Sequence, residues 1–95
     1  MKEPTLVANF PNKPSRGSRV ELEVPGHKYP LRIDIHPSTV MAENPVRDEI
    51  TGYGVNWSAL GSVAPEIAEG YANAILLAVM EARALTLKFK GKSLE

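Results

Sequence analysis

The chain contains no cysteine. That single absence removes disulfide frameworks, thiolate metal sites and cysteine nucleophiles together, and it fits a reducing compartment. Aromatic residues are also scarce, with one Trp, three Tyr and two Phe among 95 residues, so base-stacking platforms have little to be built from. Formal net charge is zero, which withholds the global field that usually accompanies nonspecific nucleic-acid binding. The only histidines are His27 and His36, too few for a zinc site unless carboxylates converge on them. Residues 74–80 form a run of seven apolar residues, far short of the roughly 20 that span a bilayer. Glu66, Glu69, Glu81 and Arg83 flank that run closely, so no membrane anchor is expected. The opening residues Met1-Lys2-Glu3-Pro4-Thr5 lead into a short Leu6-Val7-Ala8 patch that stops at Asn9, which is no secretory h-region. The expected location is the cytoplasm.

What is present is an ordinary globular composition, 43% hydrophobic and 23% charged. Such a chain lies well away from the disordered class and suits one small domain over residues 1–95. Residues 1–18 read as a partly flexible N-terminal arm, because Pro11-Asn12-Lys13-Pro14-Ser15-Arg16-Gly17-Ser18 is a turn-rich polar stretch. Leu94 and Glu95 are set aside as a cloning remnant. Charge is unevenly spread: Lys2, Lys13, Arg16 and Arg19 make the N-terminal segment basic, Arg83, Lys88, Lys90 and Lys92 do the same at the other end, and acidic residues dominate between them.

Period-two alternation gives the first element. Val20, Leu22 and Val24 alternate with Glu21 and Glu23, while Tyr29, Leu31, Ile33 and Ile35 alternate with Pro30, Arg32 and Asp34. Between these runs Pro25-Gly26 supplies a proline for the first central turn position and a glycine for the positive φ of a type II turn. A tight hairpin would place Leu22 opposite Tyr29 and Val20 opposite Leu31. A type II turn twists poorly in a two-residue hairpin, which favours a wider loop. Thr5 to Phe10 reads as a further short strand. One helical turn is expected between Pro37 and Pro45, followed by a strand from Arg47 to Trp57 with a bulge or bend at Thr51-Gly52.

The last element is a long helix. Ser62 or Ala64 is placed to cap it, Pro65 occupies a position where a missing amide costs nothing, and Glu66 and Glu69 complement the helix dipole. At about 100° per residue, Ile67, Tyr71, Ile75, Ala78, Ala82, Leu85 and Phe89 share one face, with Ala68, Ala72 and Val79 beside it. Lys88, Lys90 and Gly91 end it. The expected fold is therefore α+β, a three- to four-stranded antiparallel β-meander packed against one long C-terminal α-helix.

Residues patterned for chemistry are few. Asp34 and His36 share a strand face, but two groups make neither a metal site nor a catalytic pair, and a surface role at a strand end explains them. Ser38, Ser58 and Ser62 sit in turn or cap contexts without the surroundings of a nucleophile. Gly52-Tyr53-Gly54 lacks the later glycine of a dinucleotide loop. Asp48 and Glu49 are adjacent on a strand and so point to opposite faces. No enzyme, cofactor or metal is expected.

Association is the leading functional reading. A helix apolar all round needs cover on two sides, and Leu77 and Met80, flanked by Leu76 and Leu87 with Ala84 beside them, project away from the predicted sheet-facing stripe. A second copy of the chain is the simplest cover, since closed twofold dimers are the commonest soluble oligomers. Another protein, or intramolecular cover by the N-terminal arm or the Pro37 to Pro45 loop, would serve as well. The alternative function is nucleic-acid binding through Lys13, Arg16 and Arg19 with Lys88, Lys90 and Lys92, set against solvated ends and a helix C-terminus that favours cations.

The segment Val55-Asn56-Trp57-Ser58-Ala59-Leu60-Gly61-Ser62-Val63-Ala64-Pro65-Glu66, with the alanine-rich helix after it, resembles small uncharacterised bacterial and phage proteins in which a strand leads through Gly-Ser and Pro-Glu into a terminal helix. The resemblance implies a strand-then-helix unit. It carries no activity, cofactor or site residue.

Overall fold

Alternating burial along three of the strands shows which way the sheet faces. The computed structural model describes residues 3–8, 17–43, 46–58 and 60–94. Its elements are β1 (Thr5–Ala8), β2 (Ser18–Leu22), β3 (Leu31–Glu43), β4 (Val46–Trp57) and α1 (Pro65–Phe89). The strands form one antiparallel sheet in the order β1-β2-β3-β4, with α1 packed on one face. This is an α+β fold. Lys13, Arg16 and most of the polar arm lie outside the described residues.

Val20, Leu22, Ile33 and Ile35 are essentially inaccessible to solvent. Together with Val24, Tyr71, Ala74, Ala78 and Ala82 they form the core between sheet and helix. The alternate residues of β2 and β3 make the opposite face polar. Arg19 pairs with Asp34 and Glu21 with Arg32 across the strands, while Arg19 also meets Glu21 at 2.7 Å and Arg32 meets Asp34 at 3.0 Å along them. Opposite charges placed side by side let this face stay in water without a second layer.

The turn at Pro25-Gly26 forms as its sequence dictates: His27 N–H donates to Val24 O at 3.1 Å and Gly26 has φ 83°. The ladder beyond it differs from the expected register. Leu22 pairs with Leu31 and Val20 with Ile33, a shift of two residues that keeps each side chain on its expected face. Tyr29 falls in the resulting loop and is 72% exposed. The cause is local. Pro30 has no amide to offer a ladder, and the type II turn leaves the chain with the wrong twist for immediate pairing.

A second departure lies at Pro37, where β3 continues as a strand through residue 43 and no helical turn forms. Pro37 pairs with Tyr53, whose own amide points away from β3 to Thr86 Oγ1, so this is a pair that exchanges no backbone hydrogen bonds. The proline nitrogen accordingly faces the β2 side, beyond Ser18↔Ile35 at the end of that ladder. A proline is tolerated there because no donor is required.

The register between β3 and β4 shifts at Ser38/Thr39 and leaves Thr51 as the extra residue. The Thr51 hydroxyl donates to Ser38 O at 3.2 Å. The bulge therefore lies where Thr51-Gly52 predicts it.

Gly17 is a required glycine. A Cβ placed there would lie 1.9 Å from Ile35 O, so the β2 entry and the β3 backbone would have to separate. Gly17→Ala is expected to destabilise the fold by about 1–3 kcal/mol, as overpacking in tight sites does. Thermal unfolding followed by circular dichroism measures the loss, and an unchanged midpoint would contradict the close approach.

Candidate association surface

Helix α1 starts at Pro65 behind an extended Ala64 cap, with Glu66 in its first turn and Lys88 in its last. It buries Tyr71, Ala74, Ala78, Ala82 and Phe89, and the small residues in that stripe let the helix backbone sit close to the sheet. Tyr71 is held at the sheet end, its hydroxyl donating to Ser58 O at 2.9 Å. Burial pushes the phenols of both Tyr53 and Tyr71 above the ordinary tyrosine range.

Among the described residues, nothing covers the opposite face of α1. Leu76 is 61%, Met80 67% and Leu87 89% exposed, and Ala84 is exposed beside them. Of the intramolecular covers that the sequence allows, the described part of the Pro37 to Pro45 segment is committed to the β3–β4 hairpin, and most of the N-terminal arm lies outside the described residues. Leu77 differs from its neighbours. It is half-buried and packs against the core cluster, so the exposed patch turns toward Leu76, Met80 and Leu87. Position 77 lies near the boundary between the two faces, roughly 100° from the middle of the buried stripe at helical spacing, and only the lateral extent of the sheet decides its side.

Between α1 and β4 this patch runs into a groove of about 510 Å3 lined by Tyr53, Val55, Val79, Ala82, Arg83, Thr86 and Leu87. The groove borders an outer strand of the sheet, whose free backbone is a pairing hazard unless covered. Much of the β4 edge is covered by the end of the chain itself. Gly91, with φ 83°, turns residues 91–94 back along β4. There Gly91 N–H donates to Ile50 O, Ile50 N–H to Lys92 O and Leu94 N–H to Asp48 O, at 2.8–2.9 Å. Further along, the Tyr53 amide donates to Thr86 Oγ1 at 3.0 Å while that hydroxyl donates to Ala82 O at 2.7 Å.

Thr86→Val removes this acceptor at nearly constant volume. The expected loss is about 0.5–1.5 kcal/mol, the net worth of a typical hydrogen bond, here a part-buried one, read as a fall in the thermal midpoint. A variant as stable as the parent would show that water replaces the hydroxyl.

Among the described residues, the basic side chains do not form one surface. Arg19 is on the polar sheet face in its ion pair with Glu21, whereas Lys88, Lys90 and Lys92 gather at the end of α1, on the other side of the sheet. Two of these lysines lie over the Phe89 ring, Lys88 at 5.1 Å and Lys92 at 5.9 Å from its centroid.

Chemically the site is an exposed apolar surface. His27 lies in the β2–β3 connection and His36 on β3, and among the described residues no three His, Cys, Asp or Glu side chains gather to hold a metal. No described helix is long and apolar enough to cross a membrane. The sequence pattern missed Tyr53, Val55, Val79 and Thr86 as a group, because the groove they line is created by packing one element on another. No protein-family model, curated protein or solved structure matches the chain.

Proposed function

We propose that this protein is a non-enzymatic interaction module that self-associates as a homodimer through the outer face of α1. The observation that carries this reading is the exposure of Leu76, Met80 and Leu87 along one side of a helix whose other side is already committed to the core. Contiguous apolar surface of this kind marks interaction sites in soluble proteins. The adjoining groove beside β4 extends the same apolar surface.

Methionine oxidation offers a direct test, because the molecule carries its own reference. Met80 lies on the proposed contact face, and Met41, 69% exposed near the tip of the β3–β4 hairpin, does not. Mild peroxide treatment followed by peptide mass spectrometry should show Met80 oxidation slowing relative to Met41 as protein concentration rises. A ratio independent of concentration would contradict the proposal.

The alternative, an accessory nucleic-acid-binding protein, draws on the lysine group at the end of α1. Lys88, Lys90 and Lys92 stand there with Arg47, whose guanidinium reaches Gly91 O at 3.4 Å. Titration with labelled single and double strands decides it: binding that weakens steeply with salt supports this reading, and no binding at low salt removes it.

A further inference from the structure

We infer that the self-association proposed above, on which this inference rests, is an antiparallel twofold pairing of α1 with α1 of a second copy, centred on Leu76, in which Glu69 of each copy faces Arg83 of the other. Glu69, Leu76 and Arg83 are one heptad apart, so they share a face with a drift of only about 20° per step. All three are exposed, as are Ala72 and Met80 between them.

Neither charge is satisfied along its own helix. The residues one turn away from Glu69 are Pro65, Glu66, Ala72 and Asn73, and those one turn away from Arg83 are Val79, Met80, Thr86 and Leu87. Helical ion pairs need an opposite charge at three or four residues' distance, and here there is none. Arg83 instead stands among apolar groove residues.

A twofold contact must be self-complementary: if one residue meets another, the second meets the first on the other side of the axis. In an antiparallel helix pair, residues equally far before and after the central position face each other. About Leu76, Glu69 and Arg83 are equidistant, as are Ala72 and Met80, and Asn73 and Val79. Both charges are thereby matched with opposites, and the longer Met80 side chain is set against the small Ala72. A parallel pairing would instead set Glu69 against Glu69 and Arg83 against Arg83. Centring an antiparallel pair on Met80 would put Arg83 opposite the half-buried Leu77 and Glu69 beyond the helix end. Charge complementarity thus selects one orientation and one register.

Charge reversal tests this without touching the core. Glu69→Arg makes both charges on the face positive, and Arg83→Glu makes both negative. Each variant alone should self-associate about tenfold or more weakly, since two attractive contacts become repulsive. An equimolar mixture should form a heterodimer about as tight as the parent dimer, detected by native mass spectrometry and by sedimentation of one labelled variant. Cross-linking supplies the geometry, because the native chain has no cysteine to interfere. Leu76→Cys should oxidise to a linked dimer. Glu69→Cys should not, its two copies lying about 20 Å apart at 1.5 Å of rise per residue.

A parent dimer whose charge variants associate unchanged, whose mixture gains nothing, or whose Glu69→Cys links as readily as Leu76→Cys would overturn this pairing while leaving self-association standing. A parent chain that is monomeric at every concentration would overturn both.

Discussion

Ile33→Ala is expected to lower the free energy of unfolding by about 2–5 kcal/mol, the range for truncating large aliphatic side chains in close-packed interiors. Ile33 is fully buried on the inner strand β3, between Val20 of β2 and Trp57 of β4, in the layer roofed by α1. Its β-branched side chain suits the pleat, and β3 is held on both sides, so the walls of the resulting cavity have little freedom to collapse. For a domain whose total stability is on the order of 5–15 kcal/mol, a loss of this size is a large share of the whole. Denaturant titration should show the midpoint falling with an unchanged slope. A loss below about 1 kcal/mol would mean that the site relaxes freely and that the core is centred elsewhere.

Leu76→Glu and Leu77→Glu should separate association from folding, although the residues are neighbours. Leu76 is exposed and on the proposed axis, so in Leu76→Glu the fold should be retained to within about 0.5 kcal/mol. Two carboxylates would then be forced together at the contact centre without partners, and self-association should weaken by about a hundredfold or more. Leu77 packs against the core, and a carboxylate there must either stay solvated and give up that packing or be buried, where an unpaired charge costs more than the roughly 1–3 kcal/mol of a neutral polar group. Its first symptom should be a lower unfolding midpoint. Size-exclusion chromatography with parallel thermal melts distinguishes the two, and a Leu76→Glu chain that unfolds would place that residue in the core.

Those neighbours also mark how far the sequence could be read. Period-two runs in β2 and the first part of β3, the bulge at Thr51-Gly52 and the start of α1 at Pro65 are all local signals, and each is found where its pattern places it, except that Val24 and Tyr29 at the inner ends of the two runs lie in the connection between the strands. What the local signals miss depends on tertiary context. The two-residue shift between β2 and β3 follows from the loop around Pro30, and the continuation of β3 through Pro37 follows from where the β2 ladder ends. The β4 edge is completed by residues 91–94, which carry no strand-like alternation because their contribution is made by backbone groups. On the helix, the exposed strip through Leu76, Met80 and Leu87 was legible from an excess of apolar residues. The assignment of Leu77 was not, since a position near 100° from the buried stripe can fall on either side. The spacing of Glu69 and Arg83 about Leu76 is visible in the sequence once the exposed face is known, and it becomes informative only then.

Self-association is the central claim, and molar mass by light scattering across a dilution series from low to high micromolar tests it most directly. A self-associating chain gives a mass rising with concentration toward twice that of the 10.4 kDa chain, with Leu76→Glu remaining at the monomer mass throughout. A parent chain at the monomer mass over the whole series would contradict it.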